Sequence, residues 1–230
     1  MIDSRIIRLK GINESEILAE ECFDSACVNG IKPIYFDGIH GEKEIERYHK
    51  SFNIRPWKVK MKKGRLGVKG CFLSHFSLWY QCYSYNKPIL IFEHDAFVLR
   101  PLPNNILQSF DEFLMLDPYN KMKDNYQKKL EEETRVGIEE YFNESSLPKY
   151  GVVDEYAMGL QAYIIKPKAA GKLINYVHRH GYLPADLQCN KGILNMQTIY
   201  PAVAAINPKY WGKKGLMKEE STTQKKWQNI

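Results

Sequence analysis

PILIFEHDAFVLRP, residues 88–101, enters from a proline, runs through Ile89, Leu90, Ile91 and Phe92, and then meets Glu93, His94 and Asp95 before apolar character returns. An apolar run this short, with no polar residue alternating into it, suits a strand buried on both faces of an α/β sheet. Such sheets place their ligands at the carboxyl ends of their strands. Glu93 and Asp95, with His94 between them, put oxygen and nitrogen donors at that end. They suit Mn²⁺ or Mg²⁺, and a metal there would neutralise a diphosphate. The alternative is that these acids simply end the strand and face solvent.

Upstream, residues 6–9 form a short apolar segment, residues 14–28 carry Ile17, Leu18, Cys22 and Ala26 at helical spacing, and residues 31–36 form a second strand running into Asp37-Gly38. Strand, helix, strand is the opening of a βαβ unit, whose right-handed crossover would place the turn at Asp37 on the same edge as the start of the sheet. Asp37 either touches a nucleotide base or ribose there or serves only its turn. Residues 42–52 read as a charged surface helix. GCFLSHFSLWYQCYSYNK, residues 70–87, reads as a largely buried helix with Ser74 and His75 as its polar exceptions. Residues 70–74 suit a phosphate-binding helix N-terminus, although His75 equally suits a core histidine bonded to a carbonyl.

Downstream the pattern predicts a helix over 102–110, a strand over 112–116, and a solvated helix or mobile insertion over the charged stretch 121–142. Residues 151–165 read as a turn, the acidic pair Asp154-Glu155 and a last buried strand. Pro167 opens a helix whose end carries His178 and His180, where cationic side chains suit the helix dipole. Asp186 stands where an N-cap belongs, and also where a general base facing the cleft would sit.

The 230 residues suffice for one domain, set at 1–204 with a basic tail at 205–230. Net charge is +6, with basic clusters at residues 58–69 and 209–226. Such clusters draw nucleotide phosphates, nucleic acid or anionic lipid surfaces. The 5 cysteines lack any C-x-x-C pair, which argues against a zinc site or disulfide framework and for a reducing cytoplasm. No stretch is long and apolar enough for a membrane-spanning helix, and no leader is visible.

The order G-C-x-x-S-H-x-x-x-W (Gly70, Cys71, Ser74, His75, Trp79), I-L-I-x-E-x-D (residues 89–95), G-x-x-A-Y-I-I (from Gly159) followed by an A-A-G-K-L-I helix, and P-x-D (Pro184, Asp186) resembles glycosyltransferase family 25. That family contains bacterial lipooligosaccharide galactosyltransferases and collagen galactosyltransferase domains. The resemblance implies an α/β fold of GT-A type, with a Rossmann-like mixed sheet flanked by helices and an acidic motif that holds a divalent metal against a sugar-nucleotide diphosphate. Glu93, His94 and Asp95 are then the metal candidates, Asp95 first. Arg8, Asp37, Ser74, His75 and Gln161 line the donor side, and Asp186, with Asp154 and Glu155 behind it, is the base of an inverting transfer. The sequence departs from the family at His94, where a third acid is usual.

These expectations describe a transferase moving a sugar from a nucleotide donor, UDP-linked, to an acceptor hydroxyl. The resemblance points to a bacterial surface oligosaccharide of the LPS type as acceptor, with the basic clusters resting on an anionic membrane. The same clusters suit hydroxymethylated bases of viral DNA, in which case the enzyme would work in a host cytoplasm. A third reading, of a different class, is a non-catalytic module that binds a nucleotide or nucleic acid on the same fold.

Overall fold

A computed structural model of the chain describes residues 2–55, 66–119, 125–142, 155–157 and 159–210. The basic run at 58–65, Asp154 and the basic tail beyond 210 lie outside the described residues. In chain order the elements are β1 (Asp3–Arg8), α1 (Asn13–Val28), β2 (Ile34–Asp37), α2 (Glu42–Phe52), α3 (Leu66–Ser84), β3 (Ile89–Glu93), β4 (Ala96–Val98), β5 (Phe113–Met115), α4 (Tyr126–Glu131), β6 (Gly137–Glu140), β7 (Ala162–Ile165), α5 (Pro167–His180), α6 (Ala185–Gln188), β8 (Met196–Tyr200) and β9 (Ala204–Ile206).

The apolar run at 89–93 is an interior strand, as its pattern requires. Among the described residues it lies third in a seven-stranded sheet of order β2-β1-β3-β7-β5-β8-β6. β1 is parallel to β2 and β3, and β5 is parallel to β8. The antiparallel β7 is inserted between β3 and β5, and β6 closes the far edge antiparallel to β8. The carboxyl ends of β1, β2, β3, β5 and β8 therefore share one edge with the start of β7. That edge collects Arg8, Asp37, Glu93 and Gln161. The expected fold class, a mixed α/β sheet flanked by helices, is the one observed.

Alternation along each strand divides the core in two. Ile7, Ile91, Met115 and Tyr163 face α3 and α5, while Ile6, Phe92, Leu114 and Ile164 face α1 and the separate β4-β9 ribbon. Phe72, Leu73, Phe76, Leu78 and Trp79 of α3 are fully buried, each contributing roughly 1.5–3 kcal/mol of transfer free energy. That burial holds α3 in place, and with it the polar side chains it carries.

Four expectations are corrected. Residues 70–74 are no helix N-terminus, because α3 is already helical from Leu66; their amides belong to the helix's own ladder and are spent on it. Instead of a helix over 102–110 there is only a short 3-10 turn at Ile106–Gln108, preceded by Asn105 in the left-handed region. The left-handed backbone at Asn105 breaks any longer helix there. The stretch 121–142 contains the short α4 and then an edge strand, β6, rather than one solvated helix. Sheet edges carry charge readily. Finally, Pro184, not a side-chain cap, precedes α6, and Asp186 lies inside its first turn.

Candidate active site

Glu93 ends β3, and its N–H donates to the Gln161 carbonyl at 2.8 Å, which continues the β3-β7 ladder one step beyond the paired strands. Alternation aims the Glu93 side chain at the face covered by α3. There Cys71 and His75, four residues apart and so on one side of the helix, come up against it. His75 Nε2 lies 3.1 Å from Glu93 Oε1, and the Cys71 thiol donates to the same oxygen at 3.8 Å. On its other side, His75 Nδ1 is 2.8 Å from the Tyr163 hydroxyl, which also accepts the Trp79 indole N–H at 2.8 Å.

The carboxylates of the acidic motif and of α6 act electrostatically on Cys71. Burial pushes the Cys71 thiol well above its ordinary range, and Glu93, Asp186 and Asp95 push it further in the same direction. Asp95 and Asp186, distant in sequence, are thus within electrostatic reach of one thiol. Asp95 lies in the turn between β3 and β4, its carbonyl accepting the Asn207 N–H at 2.7 Å. Its Oδ1 is buried with no hydrogen-bond partner among the described residues, and the same holds for Gln161 Nε2. Gln161 is 2% exposed. Its amide lies against Gly159, where an added Cβ would stand 2.6 Å from Gln161 Oε1.

The other predicted residues divide. Arg8 donates to Asp37 at 3.0 Å and stacks over the Tyr35 ring at 4.2 Å from its centroid, at the same sheet edge. Ser74 is spent on the fold: its hydroxyl accepts the Ile39 N–H at 2.8 Å and donates to the Gly70 carbonyl at 2.7 Å. His75 is 1% exposed with both ring nitrogens engaged. Glu155 pairs with Lys191 at 2.9 Å. His94 lies half-buried in the turn and belongs to no three-ligand cluster among the described residues; the cluster that does form is Cys71, His75 and Glu93, whose ligand atoms lie within 4.8 Å of one another.

Cys71, Trp79 and Tyr163 are site residues to which the sequence reading gave no role. Cys71, His75 and Trp79 do recur at intervals of four, a visible helical stripe. Tyr163 becomes their neighbour only through the pairing of β7 with β3.

No curated protein matches the sequence. Among solved structures, mouse xyloside xylosyltransferase 1 in its apo form is 10% identical with a TM-score of 0.36, covering 81% of this chain and 79% of that one. A glycosyltransferase involved in the glycosylation of the major capsid of PBCV-1 is 9% identical with a TM-score of 0.30, covering 76% of this chain and 66% of that one. The sequence itself matches the family described as glycosyltransferase family 25 (LPS biosynthesis protein) over residues 8–188. That match spans well over half of the chain and takes in α3, the acidic turn after β3, and Asp186, so the chain belongs to glycosyltransferase family 25.

Proposed function

We propose that the chain transfers a sugar from a UDP-linked donor to a hydroxyl of a surface-type oligosaccharide, inverting the anomeric centre with the help of Mn²⁺ or Mg²⁺. Asp95 is the observation that carries this reading. A buried carboxylate oxygen without a partner costs several kcal/mol unless a cation or donor reaches it, and a hard oxygen donor fits Mn²⁺ or Mg²⁺. The sulfur-bearing cluster of Cys71, His75 and Glu93 fits those ions poorly. Asp95 would hold the metal, with the main chain of the 94–95 turn beside it. When bound, the metal supplies charge neutralisation for the departing diphosphate.

The protein's own groups account for the rest. Arg8 and Asp37 at the sheet edge orient the nucleoside end of the donor, and the Gln161 amide offers an N–H to a donor oxygen. Asp186 accepts the acceptor hydroxyl's proton as that oxygen bonds to the anomeric carbon, while the electron pair of the breaking carbon–oxygen bond leaves with the diphosphate. Glu155, already paired with Lys191, is the second candidate for that role.

The family's description favours a glycan acceptor. DNA and anionic membranes were expected from basic clusters that fall largely outside the described residues, so the structure adds nothing to either partner. Among the described residues no helix is long and apolar enough to cross a membrane. The 5 cysteines are unpaired, which accords with a cytoplasmic site of action.

The test is release of UDP from a panel of UDP-sugars with Mn²⁺ and with chelator. Metal-dependent release from one donor, abolished in Asp95→Ala, supports the reading. Donor binding without turnover under every condition would instead make the chain a binding module.

A further inference from the structure

We infer that His75 and Tyr163 are positioning residues: a one-way chain of hydrogen bonds from Trp79 through Tyr163 and His75 holds Glu93 as an oriented carboxylate at the start of the turn that carries Asp95. This rests on the reading of Asp95 as the donor-side centre. The direction of the chain follows from counting protons. An indole N–H only donates, so the Tyr163 oxygen, 2.8 Å from Trp79 Nε1, accepts. The Tyr163 hydroxyl proton then has one acceptor among the described residues, His75 Nδ1 at 2.8 Å. Nδ1 is therefore bare, and the ring proton sits on Nε2, where it donates to Glu93 Oε1 at 3.1 Å.

The reverse tautomer would strand the hydroxyl proton of Tyr163, which is 0% exposed, and would set an imidazole lone pair against a carboxylate oxygen. Either fault leaves a buried polar group without its bond, which folded proteins avoid. The same count weighs against a metal held by Cys71, His75 and Glu93, because ligation through Nε2 would force the proton onto Nδ1. With its Oε1 held by His75 and Cys71 and its N–H donated to the Gln161 carbonyl, Glu93 gives the turn to Asp95 a fixed starting point set by α3.

The direct test is heteronuclear NMR of the imidazole nitrogens in the full chain: His75 is expected with Nε2 protonated and Nδ1 bare. The opposite tautomer, an imidazolium, or ring resonances that move on titration with Zn²⁺ would overturn the inference. The functional arm is the Mn²⁺ concentration that half-saturates UDP binding. Tyr163→Phe is expected to raise it a few-fold, short of the tenfold or more lost with a direct partner of a metal ligand, because Tyr163 acts on Asp95 through His75, Glu93 and the turn. Because Tyr163→Phe also strands the Trp79 N–H, the double variant with Trp79→Phe separates the roles: it removes the stranded donor and should leave the Mn²⁺ requirement high. His75→Gln, which keeps a donor near Nε2, should bind closer to wild type than His75→Leu. Unchanged Mn²⁺ affinity in Tyr163→Phe, or its recovery in the double variant, would reduce the chain to a structural feature. A wild-type protein that binds no UDP with Mn²⁺ would sink the transferase reading instead, and the NMR would still decide the direction of the chain.

Discussion

Asp186 stands ahead of Glu155 as the candidate base, and their surroundings separate them further. Lys191 lies 2.9 Å from Glu155 and 2.6 Å from Glu140, so Glu155 is already committed to an ion pair. Asp186 shares the neighbourhood of Cys71 with Glu93 and Asp95. Asp186→Asn should lower kcat for donor turnover by about 10²–10⁴ with donor KM little changed, whereas Glu155→Gln should leave both near wild type; initial-rate kinetics distinguish them. The raised Cys71 thiol yields a chemical expectation. At mildly alkaline pH it stays protonated and so unreactive, and alkylation mapped by mass spectrometry should mark the exposed Cys27 first. Rapid labelling of Cys71 would mean that its burial against the carboxylates is wrong.

At the scale of elements, the site depends on how closely α3 approaches the chain after β2. A Cβ on Gly70 would stand 2.1 Å from the Ile39 carbonyl oxygen, so Gly70→Ala must push backbone away from backbone. The expected cost is about 3 kcal/mol by denaturant unfolding, with loss of donor turnover because α3 carries His75. α5 is tied to the opposite end of the sheet by Glu112, which bonds Lys168 at 2.8 Å, Lys172 at 2.7 Å and the Asn195 N–H at 3.2 Å. Burial alone would raise the Glu112 carboxyl, but these donors outweigh it and hold it below the ordinary range. Its contribution to stability is thus complete above the unfolded carboxyl value of about 4.3 and is lost as pH falls through the lower folded value. Glu112→Gln should cost roughly 1–2 kcal/mol at neutral pH, screening of the exposed lysines keeping it small, and should flatten the acid limb of stability measured against pH.

Which elements could be read from sequence follows from the same physics. β1, α1 and β2 were legible because apolar residues change from strand to helical spacing and back within one short stretch. The acidic motif was legible because an apolar run ends at it. β6 was not, since a charged edge strand and a solvated helix look alike until β8 is there to pair with. The tie between His75 and Glu93 was hidden for a related reason: it needs the docking of α3 on the sheet, and Tyr163 reaches it only through the antiparallel insertion of β7, a pairing that joins residues about seventy positions apart.

At the scale of the whole molecule, the sheet order brings Arg8, Asp37, Glu93 and Gln161 to one edge, with Asp95 in the turn that follows Glu93, and leaves the Glu112 cluster at the other. The central claim is that Asp95 makes this edge a metal-assisted donor site. Calorimetric titration of UDP into the wild-type chain and into Asp95→Asn, each with Mn²⁺ and with chelator, addresses it most directly. Binding that requires Mn²⁺ in the wild type and is lost in the folded Asp95→Asn variant is the expected result. Equal UDP affinity in all four titrations would contradict a metal-assisted donor site at Asp95.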